Sequence, residues 1–318
     1  MKVFVSGAGN FLGSAVIAAL AKKGNHVVGL VHNENEGRVV EKLGGKPLVG
    51  DLFESGQWCK EVQSSERVIS LTSPLEGVEK IDMSNMGLYS RRYTEAVTNL
   101  IKAAAGGKAK SVVVTYSTQC MGDRQGKWVN DADTIAPIGY CRPIAGSFDA
   151  IARVAEDAEL PLIEIYPSFV YGNGGWFKRL VTAIQNGTAR VVEPGVNYLS
   201  LIHVEDAAAY IALATEKLTK NESLCLADDR PVTQRALMDF ITDLMDKPSL
   251  KQVDAGTYAN LFGELAAEAM SSSTRVQGLA AMDLLGYIPT YRFYETGIVH
   301  TLKTMGIEPR RRELEEAA

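Results

Sequence analysis

Lys2-Val3-Phe4-Val5-Ser6-Gly7-Ala8-Gly9-Asn10-Phe11-Leu12-Gly13-Ser14 sets an apolar, β-branched run, a glycine-rich turn and the start of a helical pattern in immediate succession. Such a run reads as a buried strand, and the glycines that follow let a backbone turn approach a bound phosphate closely. A helix N-terminus placed just beyond the turn directs unpaired N–H groups and the positive end of the helix dipole at an anion. Strand, glycine turn and helix together predict the first βα unit of a dinucleotide-binding fold, with Gly7, Gly9, Asn10, Phe11, Leu12 and Gly13 as the cofactor loop.

The same alternation continues outward. Val3 to Ser6, His26 to Val31, Lys46 to Val49, Val68 to Leu71, Val112 to Tyr116 and Leu162 to Tyr166 read as strands. Between them, Ser14 to Lys23 and Tyr93 to Ala105 carry apolar residues at helical spacing. Strands alternating with helices predict an α/β class, a doubly wound parallel sheet of Rossmann type. Beyond Tyr166 the pattern gives way to the glycine- and aromatic-rich Tyr171-Gly172-Asn173-Gly174-Gly175-Trp176-Phe177 and then to mainly helical pieces, with a break at Ser271-Ser272-Ser273. The expected organisation is a nucleotide-binding part over residues 1–166 and a smaller substrate-binding part over 167–318, interleaved with it.

Composition narrows the function classes. Hydrophobic residues make up 46% and charged residues 22% of 318, as in ordinary globular proteins, and no apolar run is long enough to span a bilayer. The chain enters its first strand without a charged leader and apolar h-region, so the expected location is the cytoplasm, with no membrane partner. Cys59, Cys120, Cys141 and Cys225 and the four histidines match neither a disulfide framework nor a metal site. A net charge of −5, with Arg310-Arg311-Arg312 as the one basic cluster in a terminal Arg/Glu segment, argues against a nucleic-acid footprint.

On these motifs the chain resembles the extended short-chain dehydrogenase/reductase family, whose loop carries three glycines spaced three apart. Gly7 and Gly13 match, and Asn10 stands at the middle glycine. Asn is the residue besides glycine that best tolerates left-handed backbone angles, so the turn is expected to survive with its side chain crowding the diphosphate. The resemblance implies NADP, or NAD, as cofactor. His32 and Asn33 occupy the end of the second strand, where an NAD site has a carboxylate for the ribose. Arg38 lies in reach of a 2′-phosphate, opposed by Glu34 and Glu36. Asp51-Leu52 is similar to the family's adenine-contacting pair, although Asp51 alone reads equally well as a helix cap, and Thr72-Ser73-Pro74 takes the place of its Ala-Ala-Pro turn.

The chemistry follows from Val113-Val114-Thr115-Tyr116-Ser117-Thr118-Gln119-Cys120-Met121-Gly122-Asp123, which resembles the fifth strand and active-site loop. It places Ser117 on the catalytic Ser/Thr, a fixed donor for a substrate oxygen, with Thr118 and Gln119 beside the substrate. Thr118-Gln119 replaces the acid pair of sugar-nucleotide dehydratases. The family's Tyr-x-x-x-Lys reads here Tyr140-Cys141-Arg142-Pro143-Ile144. Without a cation one helical turn away, Tyr140 should titrate near or above about 10 and serve as a proton donor rather than a base. Arg142 can replace the lysine only from a non-helical segment, and Pro143 suggests that the helix begins there.

Tyr166-Pro167-Ser168-Phe169-Val170-Tyr171-Gly172 looks like the family's Arg-Pro-x-x-Val-Tyr-Gly, with Pro167 and Ser168 bounding the nicotinamide. His203 and Asp206, in a His-Val-x-Asp stretch, are structural in the family. Asn197, Tyr198 and Ser200 replace the arginine that grips a nucleotide-sugar diphosphate, which points to a small non-nucleotide substrate. Trp176, Phe177 and Tyr198 are candidate walls of an apolar pocket, or equally core residues. Leu284-Leu285-Gly286-Tyr287-Ile288-Pro289 and Glu295-Thr296-Gly297 resemble the closing motifs. Three readings stand: a carbonyl reductase using Ser117 and Tyr140; an epimerase, isomerase or cyclase on a tightly held nucleotide; and a non-catalytic nucleotide-binding protein. A homodimer is implied by the resemblance alone.

Overall fold

The computed structural model describes residues 1–73, 75 and 81–310. Pro74 and the arginines at 311 and 312 lie outside the described residues.

Seven strands, each rich in Val, Ile and Leu, pair in parallel: β1 (Lys2–Ser6), β2 (His26–Val31), β3 (Lys46–Val49), β4 (Arg67–Ser70), β5 (Val112–Thr115), β6 (Leu162–Pro167) and β7 (Glu222–Leu226). Their order is β7-β6-β5-β4-β1-β2-β3, so the chain reverses direction across the sheet between β1 and β4. A crevice opens at that switch point, beyond the carboxyl ends of the strands. Six strands follow the sequence pattern. β7 does not: it comes from beyond residue 166, out of a stretch read as mainly helical. Its Glu222 and Ser223 dilute the apolar run, and only pairing with β6 identifies it.

The helices are α1 (Phe11–Lys22), α2 (Glu34–Lys42), α3 (Gln57–Gln63), α4 (Met86–Ala104), α5 (Phe148–Asp157), α6 (Gly175–Gln185), α7 (Val204–Lys217), α8 (Gln234–Leu244), α9 (Ala255–Phe262), α10 (Glu264–Ser271), α11 (Leu279–Leu285) and α12 (Tyr294–Thr304). Because both faces of a parallel sheet are covered, successive strand residues are buried on opposite sides. Val3, Val5 and Ile69 pack under Ile17 and Leu20 of α1 and Ile211 of α7. Phe4, Val68 and Val114 pack under Val97 and Leu100 of α4 and Ile151 of α5. A third core joins Tyr171, Phe177, Val181, Leu237, Ile241 and Leu302 in the C-terminal part. The described helices include none long and apolar enough to cross a membrane.

The glycines at 172–175 have a packing reason. A Cβ on Gly174 would overlap the Phe11 ring, and one on Gly175 would come within 3.0 Å of it. Phe11, the first residue of α1, is thereby seated in a glycine-lined notch at the start of α6, which couples the cofactor loop to the substrate side. Asp206 ties down the other end: its carboxylate accepts the Tyr287 hydroxyl at 2.7 Å and the backbone N–H groups of Thr290 and Tyr291 at 2.7 and 2.9 Å.

Candidate active site

The loop after β1 is built as a phosphate cradle, but not with the backbone expected at Asn10. Gly7 alone takes a left-handed angle, φ +69°. Asn10 is extended, φ −77°, and acts as the N-cap of α1: its side-chain oxygen accepts the Gly13 N–H at 2.7 Å and its amide donates to the Leu71 carbonyl at 2.9 Å. The carboxamide is thus folded back into the loop and bonded to the end of β4, which corrects the expectation of a left-handed residue crowding the diphosphate. Gly13 cannot carry a side chain, since a Cβ would run into the Gly7 carbonyl. The cradle fits a dinucleotide: glycines where side chains would intrude, at the N-terminus of a twelve-residue helix.

Beside it lies a cavity of about 270 Å³ that brings together Gly7, His32, Asp51, Leu52, Thr72 and Arg92. Asp51 accepts the Phe53 N–H at 3.0 Å, a local turn that fixes its carboxylate there. Arg92, which the sequence did not single out, stacks 4.9 Å over the Phe53 ring. Arg38 does not line this cavity; it is exposed on α2 and donates to the Asn35 side chain. Glu36 is placed more tellingly. Asn33 caps α2 by accepting the Glu36 N–H at 3.1 Å, and the Glu36 carboxylate returns to accept from the His32 N–H at 2.9 Å and the Asn33 amide at 2.8 Å. That capping box holds the carboxylate against Gly9, where a Cβ would meet it at 2.5 Å.

A second cavity, about 570 Å³, is lined by Asn10, Leu12, Thr72, Ser117, Gln119 and Tyr140 among others. Ser117 caps the short turn after β5, its oxygen accepting the Gln119 N–H at 3.2 Å. The Gln119 side-chain oxygen accepts the Tyr140 N–H at 2.9 Å, with Gly139 in a left-handed conformation at φ +52°. Tyr116, half-buried beside Ser117, stacks on Tyr166 at 5.2 Å and meets Phe148 in a tilted ring contact at 4.8 Å. Tyr166 therefore fills the place of the family's arginine with a ring packed on another ring.

The segment from Gly139 to Ile144 is a 3₁₀ turn, and α5 begins at Phe148. Tyr140 and position 144 are consequently not one α-helical turn apart on a shared face, and Ile144 is 2% exposed within the core. Arg142 does not replace the lysine either: it points to Glu268 at 3.5 Å. The cation facing Tyr140 is Arg179 of α6. Burial raises the Tyr140 phenol above its ordinary value, and the Arg179 charge opposes that rise. No local pattern links a residue in α6 to a turn in the preceding unit, so the sequence reading missed it.

A third cavity, about 530 Å³ and mostly apolar, shares Gln119, Tyr140 and Arg179 with the second and runs on past Phe169, Trp176, Met238 and Met270. Trp176 lines it, anchored by its indole N–H on the Val170 carbonyl at 2.7 Å. Phe177 does not: it is fully buried in the third core, because α6 turns adjacent residues to different sides. Tyr198 lies instead at a small recess with Thr118 and Gln119, under the Arg275 guanidinium at 4.6 Å. Pro167 and Ser168 line none of the three cavities; both are buried, and the Ser168 N–H donates to the Leu226 carbonyl of β7 at 2.8 Å. His203 caps α7 with its imidazole buried against Thr301 at 3.3 Å, and burial lowers its pKa to about 4, as suits a neutral structural group.

Comparison with known proteins bears on this geometry. The model of the NAD dependent epimerase/dehydratase family matches residues 3–226. A ketoreductase of Stigmatella aurantiaca that acts on 4-hydroxy-2-methyl-3-oxo-4-farnesyl-3,4-dihydroquinoline-1-oxide is 25% identical over 79% of this chain and 74% of its own. The UDP-glucuronic acid 4-epimerase of Bacillus cereus, solved with UDP-glucuronic acid and NAD, superposes with a TM-score of 0.80 at 17% identity, covering 96% of this chain and 99% of its own. A human epimerase family protein solved with NADPH gives 0.78 at 14% identity, over 95% and 99%.

Proposed function

The chain belongs to the NAD-dependent epimerase/dehydratase family, and on that premise we propose that it is an NAD(P)-dependent reductase of a carbonyl on a small, rather apolar, non-nucleotide substrate. The observation that carries the reading is the sharing of Gln119, Tyr140 and Arg179 between the cavity that reaches the cofactor loop and the apolar cavity beside it. A substrate held in the apolar cavity presents its carbonyl where Ser117 and Tyr140 meet. The reductase name and apolar, farnesylated substrate of the Stigmatella relative support the same class.

The reduced nicotinamide, when bound, supplies the hydride. Gly7, Gly9, Gly13 and the N-terminus of α1 hold the diphosphate, and Asp51, Leu52 and Thr72 border the adenosine end. Ser117 donates a hydrogen bond to the substrate oxygen and so favours the negative charge that grows there. Tyr140 delivers the proton to that oxygen; its raised pKa keeps the phenol protonated at neutral pH, which is the form reduction needs. Tyr140 lines both cavities.

The test is hydride transfer from NADPH or NADH to a panel of apolar ketones, followed at the nicotinamide absorbance. Tyr140→Phe should lose about a hundredfold or more in kcat with unchanged nucleotide binding. Reduction at the wild-type rate by Tyr140→Phe would overturn the mechanism.

A further inference from the structure

Among the described residues, those lining the catalytic and apolar cavities include no Asp or Glu, whereas Arg179 lines both and Arg190 lines the apolar one. Arg190 spends its Nη1 on the carbonyls of Gly187 and Ala189, at 3.0 and 2.7 Å. Arg179 is different: among the described residues it has no ion-pair partner and no hydrogen bond to protein. A guanidinium where the polar catalytic cavity meets the apolar one presents a fork of donors suited to a carboxylate.

Its placement is built rather than incidental. α6 is seated by the contact of Gly174 and Gly175 with the Phe11 ring, directly behind the cofactor loop. The same helix anchors Trp176 in the apolar wall. The backbone of Arg179 is thus carried on a helix seated against the cofactor loop, and its side chain lines the same two cavities as Tyr140.

We infer that Arg179 binds a carboxylate on the substrate, so that the natural substrate is an oxo acid with an apolar tail, its acid group close to the carbonyl that is reduced. The tail lies along Phe169, Trp176, Met238 and Met270, the carboxylate on Arg179, and the carbonyl oxygen on Ser117 and Tyr140. This rests on the reductase reading for the chemistry: hydride adds to the carbonyl carbon, the Tyr140 proton goes to the oxygen, and the product is the corresponding hydroxy acid with oxidised nucleotide. The anion site itself stands apart from turnover.

The experiment therefore measures binding. The full chain, saturated with oxidised nucleotide, is titrated calorimetrically with octanoate and with octan-1-ol, which share the tail and differ in the acid. Octanoate is expected to bind at least tenfold more tightly than octan-1-ol. Arg179→Gln, whose exposed side chain leaves the core untouched, should remove that preference while leaving octan-1-ol unchanged, and Arg179→Lys should retain part of it. Equal binding of the two ligands, no octanoate binding, or undiminished octanoate binding by Arg179→Gln would each overturn the inference. Octanoate bound through Arg179 without reduction of any oxo acid would instead sink the reductase reading and leave the site standing. Undiminished reduction of neutral ketones by Arg179→Gln, with no octanoate preference in the wild type, would do the reverse.

Discussion

The side-chain oxygen of Gln119 accepts the backbone N–H of Tyr140 at 2.9 Å, which ties the loop after β5 to the turn that carries the phenol. Ser117 and Tyr140 come from separate elements, and this bond, together with the Ile138 N–H to Gln119 carbonyl bond at 3.1 Å, braces them. On the proposed mechanism Gln119 positions Tyr140. Gln119→Met, of similar volume but without the acceptor, is expected to lower kcat about tenfold with little change in nucleotide affinity, since a small misplacement of a catalytic group is costly. Steady-state kinetics beside nucleotide titration separates the two; loss of nucleotide binding in the variant would assign Gln119 elsewhere.

Tyr140 makes a second prediction through pH. Burial raises its pKa above the ordinary 10.0, and Arg179 only partly offsets this. The donor form is present below the raised pKa and is lost only as pH climbs through it. Reduction should hence be independent of Tyr140 ionisation from neutral pH up to about 10, while the reverse oxidation, which needs the phenolate, should rise with pH over the same interval. A reductive limb that falls near neutral pH and disappears in Tyr140→Phe would contradict the assignment.

Asn10 gives a stability test. Replacing it with Ala removes the cap on α1 and leaves the Gly13 N–H and Leu71 carbonyl without their partner. Denaturant unfolding of Asn10→Ala should show a loss of about 1–2 kcal/mol, whereas Asn10→Gly, which also restores the family's glycine, should lose less than Ala does. Nucleotide affinity in Asn10→Gly should match or exceed that of the wild type, because the carboxamide contributes to the loop and not to the ligand.

The choice between NAD and NADP is predicted to turn on Glu36. Its carboxylate is held against Gly9 of the cofactor loop by the capping box, so a 2′-phosphate brought beside it would meet like charge. Glu36→Gln keeps the cap and removes the charge, and should improve NADP(H) binding about tenfold relative to NAD(H), equivalent to roughly 1.4 kcal/mol. Arg38, engaged with Asn35, should matter less, so that Arg38→Gln changes either affinity only a few-fold. Calorimetry with the four nucleotide forms reads both.

The sheet and its cofactor loop were legible in the amino-acid sequence because they are local. β-branched runs, helical spacing and glycines at Gly7 and Gly13 each act within a few residues, where backbone sterics and burial leave few alternatives. β7 escaped because its five residues make a strand only when β6 offers an edge to pair with. The candidate site followed the same division. The motifs singled out Ser117 and Tyr140, which line one cavity, and the absence of a lysine at Ile144 was plain, but the geometry of that absence was not. A 3₁₀ turn took the place of the helix that would have put position 144 beside the phenol, and Phe177 and Trp176 parted to different sides of α6. The composition and spacing of this chain determined a nucleotide-binding α/β protein with an incomplete catalytic motif. Tertiary structure alone decided which cation faces Tyr140, because charges act through space, and only the seating of α6 on Phe11 brings Arg179 there.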